Sequence, residues 1–343
     1  MRAAVFHGPG NVRVENVAEP TIEFDSDAIV QVMAAGICGS DLWPFRGYGG
    51  EIGMRIGHEF VGTVRSVGAD VRTIRVGDVV IAPPRWSDGT CEFCLAGLPS
   101  SCVDGGAWGE PSHDGGLGER VRVPQADGTL IVVPRELNDD LGSLLALSCA
   151  MPAAHHAAVS AGVRWGSTAV IVGDGAVGLC GVLAARRLGA EQVVVVGHHE
   201  DRLGIASLFG ATDVVLADPA SGLRAVEAVM SRTGGAASVL ECVGVQSSWS
   251  TAVAVARDGA RIGYIGHPHP VERVDLARLF ERNITLAGGL APAREYLPEL
   301  LRAAASGELD PTPVVDLVLP LGELVAGYTA MDERLAIKVH LSF

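Results

Sequence analysis

The stretch SDGTCEFCLAGLPSSC holds Cys91, Cys94 and Cys102 at x2 and x7 spacing, the short loop spacing from which tetrahedral zinc cages are built, with one thiolate missing. Asp88 stands a further x2 step before Cys91, and carboxylate oxygen is an acceptable zinc ligand. Two readings stay open: a cage closed by Asp88, or a metal-free loop held by packing. A second set is scattered. Cys38 follows an apolar run in AGICGSDLW, His58 precedes another in RIGHEFVG, and Cys149 ends LLALSC. Each separation means nothing alone. Together they offer one imidazole and two thiolates, a set that binds catalytic zinc with an open fourth position.

Gly173, Gly175 and Gly178 form G-x-G-x-x-G between a predicted strand, TAVIVG, and a predicted helix, GAVGLCGVLAARRLG. In that context the first glycine permits a tight turn, the second lets backbone approach a pyrophosphate, and the third lets helix and strand pack closely. Ala176 and Val177 belong to the same contact, where the helix N-terminus faces the phosphate charge. The alternative is a glycine-rich turn without a ligand. The following strand ends in VVVVGHHEDR, where an NAD site places Asp or Glu against the ribose 2′-hydroxyl and this chain has Gly197. Without that carboxylate a 2′-phosphate is not repelled, and His198, His199 and Arg202 can supply donors and positive charge, so NADP(H) is expected ahead of NAD(H). The competing reading makes these the surface of a helix start, with Glu200 or Asp201 gripping a 2′-hydroxyl.

The elements that position these groups divide in two. At 343 residues the chain exceeds one typical domain. Its first part is rich in Gly, Pro and short β-branched runs such as AIVQVMAAGI and EFVGTVRSVG, which read as an all-β region. From Thr168 to Gly289, six candidate strands alternate with helical segments, enough for one parallel dinucleotide-binding sheet with helices on both faces. DLVLP and AIKVHLSF return to strand character. The expected domains are therefore 1–149 with 290–343, and 150–289.

Composition excludes several classes. A formal charge of −14 repels phosphate backbones and anionic lipid, so no nucleic-acid partner is expected. No apolar run is long enough to cross a membrane, and the start lacks a charged-then-apolar leader, so the expected compartment is the cytoplasm. The seven cysteines read as reduced ligands rather than a disulfide framework.

Over essentially its whole length the chain resembles the zinc-dependent medium-chain dehydrogenase/reductase superfamily, the alcohol, polyol and threonine dehydrogenase group. GHEFVGTVRSVGADV matches that family's zinc signature, and CGSD, the cysteine loop, the glycine fingerprint and LLALSCA follow in the family's order. The resemblance implies an α/β architecture: an irregular β-rich GroES-like catalytic domain plus a six-stranded doubly wound Rossmann domain. It implies catalytic zinc on Cys38, His58 and Cys149, with Asp41 accepting from the ring of His58, Glu59 beside the metal, and Ser40 passing on the substrate proton. In the family four cysteines at x2, x2 and x7 spacing hold a structural zinc, and Asp88 falls on the first of those positions. A homodimer or homotetramer is expected.

Two departures stand out. Many relatives have His where this chain has Trp43, and an indole donates but cannot carry a proton at neutral pH. Relatives also tend to have Thr-Gly where this chain has Ala153-Ala154, followed by His155 and His156. The expected reaction is reversible hydride transfer between an alcohol or carbonyl and a nicotinamide, with zinc acting on the substrate oxygen. Trp43, Trp86 and Trp108 are candidates to line an apolar pocket, or to serve in the core. Rival readings are a metal-free reductase of the same fold, a biosynthetic tailoring reductase with an atypical substrate, and a non-enzymatic dinucleotide-binding protein.

Overall fold

The computed structural model describes residues 1–109, 113–218, 222–269 and 271–343. Two compact units emerge: Met1–Cys149 with Pro292–Phe343, and Ala150–Ala291. The chain thus returns to the first unit at Pro292.

The first unit is built on a seven-stranded sheet in the order Leu317–Pro320, Val339–Ser342, Ala28–Ile37, Glu59–Val67, Val79–Ala82 and Ile131–Val132, with Arg120–Val123 also paired to Ala28–Ile37. Ala28–Ile37 is apolar on both faces because it is central, and all but two of its side chains are buried. The C-terminal strand runs antiparallel to it, Val339 against Ile37 and His340 against Gly36, while Glu59 faces Gly36 from the other side. Gly36 is therefore flanked by both neighbours. A Cβ there would collide with the Glu59 carboxylate, so only glycine lets that side chain lie across the strand. Trp86 and Trp108 are core residues of this unit; their rings meet at 5.3 Å, and Trp108 Nε1–H donates to the Pro83 carbonyl at 2.8 Å.

The second unit is a six-stranded parallel sheet in the order Asp213–Leu216, Gln192–Gly197, Thr168–Val172, Ala236–Glu241, Ala256–Tyr264 and Thr285–Gly288. Numbered along the unit this is 3-2-1-4-5-6, the dinucleotide-binding order, with the strand order reversing beside Thr168–Val172. Helices Ala176–Arg187, Glu200–Leu208, Gly222–Thr233 and Gln246–Val255 alternate with the strands. Valine-rich strands bury Val170, Val172, Val194, Val196 and Val239 between those layers, as two-faced burial requires. The expected α/β architecture is the one observed. Among the described residues no helix is long and apolar enough to cross a membrane.

Candidate active site

Cys38 follows the central strand Ala28–Ile37 and is the N-cap of a short 3₁₀ turn, Gly39–Asp41. The turn brings Asp41 back toward the strand end. Its Oδ2 accepts the Cys38 backbone N–H at 2.8 Å, and its Oδ1 lies 3.2 Å from Nδ1 of His58, the residue before strand Glu59–Val67. One carboxylate thus orders two neighbours. Cys149 follows helix Leu141–Ser148, which is N-capped by Asp140 accepting the Ser143 N–H at 3.1 Å. Cys38, His58, Glu59 and Cys149 each offer a ligand atom, and these four atoms lie within 4.8 Å of one another.

The four groups perturb each other strongly. A hydrogen bond from Cys149 holds the Cys38 thiol well below its ordinary range against the effect of burial, with His58 assisting. The same bond, together with burial, pushes Cys149 well above its range. Burial would push His58 down, yet Asp41 and Cys38 outweigh it and hold the ring well above its usual value. Burial lifts Glu59 to about 7 against the pull of Lys338. Glu59 Oε1 is buried with no hydrogen-bond partner. Two sulfurs and an imidazole, partly buried beside an unpartnered carboxylate oxygen, fit a zinc ion with its fourth position left open.

The cysteine loop forms a second cluster. Asp88, Cys91, Cys94 and Cys102 also bring their ligand atoms within 4.8 Å of one another. Asp88 Oδ1 accepts the N–H groups of Thr90 at 2.7 Å and Cys91 at 3.0 Å, an Asx turn that aims the carboxylate into the loop. Its own N–H donates to Cys102 Sγ at 3.2 Å, and the sulfurs of Cys91 and Cys102 stand 3.8 Å apart. Slight burial would raise Asp88, but the bonds from Cys91 and Thr90 outweigh it and hold the carboxyl at about 2. Burial and the Asp88 bond push Cys94 to about 12. The donor set, three sulfurs and one oxygen, fits zinc.

In the second unit the glycine fingerprint joins strand Thr168–Val172 to helix Ala176–Arg187. Gly173 has φ +121°, which an L side chain rarely adopts. Gly175 is the N-cap and a Cβ there would meet nothing within 4 Å, whereas one on Gly178 would strike the Gly173 carbonyl. The turn therefore has an open backbone approach beside Ala176 and Val177, which suits a pyrophosphate.

One expectation needs correction here. The strand end at Gly197 does not lack a carboxylate, because Asp174, from inside the fingerprint, fills it: a Cβ on Gly197 would lie 2.6 Å from Asp174 Oδ2. That oxygen accepts the backbone N–H groups of His198 at 2.6 Å and His199 at 2.8 Å, and His199 Nδ1 at 2.9 Å. Burial would raise Asp174, but these bonds hold it below its ordinary value. His198 Nδ1 pairs with the Ala217 carbonyl at 2.8 Å. Arg202 is 7% exposed on helix Glu200–Leu208, so it is a buried residue rather than part of an open cationic surface.

Residues 25–135 match the family model described as an alcohol dehydrogenase GroES-like domain, and residues 176–306 match the zinc-binding dehydrogenase model. A probable zinc-binding alcohol dehydrogenase of Mycobacterium tuberculosis is 34% identical over 97% of this chain and 86% of its own length. The chain belongs to the zinc-dependent medium-chain dehydrogenase/reductase superfamily. An alcohol dehydrogenase from Thermus sp. ATN1 superposes with a TM-score of 0.91 at 32% identity, covering 100% of this chain and 99% of that one. A zinc-dependent alcohol dehydrogenase from Streptococcus pneumonia gives 0.91 at 28% identity, covering 100% and 98%. This medium-chain dehydrogenase is a zinc-dependent oxidoreductase.

Around the cluster of this medium-chain dehydrogenase, Ser40 is half-buried in the 3₁₀ turn beside Cys38. Trp43 is half-buried in helix Leu42–Phe45, edge-on to Tyr48 at 5.7 Å with the Arg46 guanidinium 5.5 Å from its ring. Sequence reasoning missed Asp174 and Lys338. Asp174 occupies a variable position of the fingerprint, where the motif carries no expectation. Lys338, 2% exposed, forms an ion pair with Glu59, 0% exposed. Its signal was present: it is the only lysine in the chain, and every other residue among the 26 Lys and Arg is arginine.

Proposed function

We propose that the protein catalyses reversible hydride transfer between a small alcohol or carbonyl substrate and a nicotinamide cofactor, with NADP(H) favoured. The observation that carries this reading is the partly buried cluster of Cys38, His58, Glu59 and Cys149, with ligand atoms within 4.8 Å of one another. Cys38, His58 and Cys149 would hold a zinc ion, which would supply Lewis acidity toward a substrate oxygen, and a bound nicotinamide would supply the hydride chemistry.

The chain's own residues divide the remaining work. Asp41, facing Nδ1 of His58, fixes the tautomer and leaves Nε2 as the ligand atom. The Ser40 hydroxyl can donate and accept, which suits it to pass the substrate proton onward. Since Trp43 cannot carry that proton, release runs from Ser40 through water or the cofactor ribose. Asp88, Cys91, Cys94 and Cys102 would hold a second, structural zinc.

The NADP(H) reading is supported by the saturation of Asp174 Oδ2. Three N–H groups on one oxygen compensate its charge and leave that oxygen a poor acceptor for a ribose hydroxyl. With each Nδ1–H given to Ala217 or Asp174, His198 and His199 would donate to a 2′-phosphate through Nε2 as imidazolium rings, a form that the phosphate's own charge favours, whereas Arg202 is buried and drops out of that set.

Replacing His58 with Ala tests the assignment. The variant is expected to lose one zinc per chain and its turnover while binding nucleotide as the wild type does. Full activity in that variant overturns the mechanism.

A further inference from the structure

Lys338 is held in place by the sheet. Asp316 Oδ1 accepts its backbone N–H at 3.1 Å, and the register that sets Val339 against Ile37 brings Lys338 opposite Cys38. From there its ammonium reaches Glu59, whose side chain crosses from the opposite flank of the same central strand over Gly36. The two residues are 279 positions apart in sequence and meet in a fully buried pair. A buried ion pair is a weak source of stability, so its presence beside a metal cluster calls for another account.

Glu59 has two oxygens with different surroundings. Oε2 is bound by Lys338, and Oε1 has no partner although it belongs to a residue clustered with Cys38, His58 and Cys149. A carboxylate this close to a divalent cation ligates it unless another cation competes for the charge. The compact ammonium is that competitor. A lysine suits the position because it brings a point charge on a thin stem, whereas a planar guanidinium fork needs more room. This accounts for the one place where the chain uses lysine rather than arginine.

We propose that Lys338 is a positioning residue that holds the Glu59 carboxylate away from the metal and so leaves the fourth coordination position to the substrate oxygen. The inference rests on the reading that Cys38, His58 and Cys149 hold the metal. Lys338 touches neither substrate nor cofactor in this account. It acts through Glu59, and its removal releases a buried, uncompensated carboxylate next to a cation.

Cobalt(II) in place of zinc gives absorption bands that report coordination directly, and imidazole, titrated as an added ligand, reports whether a position is open. The bands lost in His58→Ala define the signal of this cluster; if none are lost, the metal reading itself fails. In the wild type, imidazole is expected to shift those bands. In Lys338→Met the bands should already differ before imidazole is added, and imidazole affinity should fall about ten- to hundredfold. The double variant Lys338→Met/Glu59→Gln should recover imidazole binding, because the charged carboxylate is gone, whereas a purely structural role for Lys338 leaves both variants equally impaired. Glu59→Gln alone should keep wild-type bands, and this arm remains decisive if Lys338→Met does not fold. Altered bands in Glu59→Gln, or wild-type bands and imidazole affinity in Lys338→Met, overturn the proposal.

Discussion

Asp174 reaches from the glycine fingerprint to the end of the neighbouring strand and occupies the space that a side chain on Gly197 would enter. Its Cβ and carboxylate lie 2.6–2.9 Å from an ideal Cβ at that position. Contacts this short require movement, and Asp174 cannot move without giving up its bonds to His198 and His199.

Gly197→Asp, the substitution that would install an NAD-type carboxylate, therefore does not act on cofactor choice alone. It crowds a second carboxylate against Asp174. Both Gly197→Ala and Gly197→Asp should lower stability by about 1–3 kcal/mol through overpacking, with the larger loss in Gly197→Asp from charge repulsion. Thermal denaturation of the three proteins checks this. A wild-type midpoint in Gly197→Ala would mean that the Asp174 arrangement yields easily.

His199 gives the cleaner test of cofactor choice. A charge-assisted hydrogen bond to a 2′-phosphate contributes about 1.5–3 kcal/mol, or roughly ten- to hundredfold in affinity. The wild type should bind adenosine 2′,5′-bisphosphate more tightly than 5′-AMP, and His199→Ala should narrow that ratio by about tenfold with little change for 5′-AMP. Fluorescence titration measures both ligands. A wild type that prefers 5′-AMP removes the NADP(H) reading.

What the sequence disclosed followed from local rules. The alternation from Thr168 onward, and a glycine motif bracketed by strand and helix, are set by backbone sterics and period, so the six-stranded sheet was legible. Asp88 was legible as a candidate because the x2 step is a loop-scale spacing. The Gly197–Asp174 contact was not, since it depends on two adjacent parallel strands placing their ends side by side. Nor was the Glu59–Lys338 pair, which depends on Gly36 having no side chain between two strands far apart in sequence. Trp86 and Trp108, open in sequence between pocket and core, lie in the core because flanking strands cover them.

Asp174 also predicts a pH dependence. Its folded value lies below the ordinary one, so it stabilises the fold above the unfolded pKa of about 3.9, and that contribution is lost as pH falls through the folded value. Asp174→Asn keeps an oxygen acceptor but not the charge. The stability gap between wild type and Asp174→Asn should be widest near neutral pH and should shrink below about pH 4. Urea denaturation across that range measures the gap; a constant gap would assign the loss to geometry rather than to the carboxylate's ionisation.

The loop cluster makes the last prediction. Three thiols and a carboxyl bring their ligand atoms inside 4.8 Å, with the thiols of Cys94 and Cys102 pushed up and Asp88 held ionised at about 2. A zinc ion converts all four into ligands and releases the thiol protons, so binding should strengthen as pH rises. Purified protein should hold two zinc per chain. Asp88→Ala should lose one of them, melt at a lower temperature, and keep its catalytic zinc, since Asp88 belongs to a cluster that shares no ligand with Cys38, His58 and Cys149. Metal analysis with melting curves on both proteins decides between the two readings of the loop: one zinc per chain in the wild type, unchanged by Asp88→Ala, would make it a metal-free lobe held by packing.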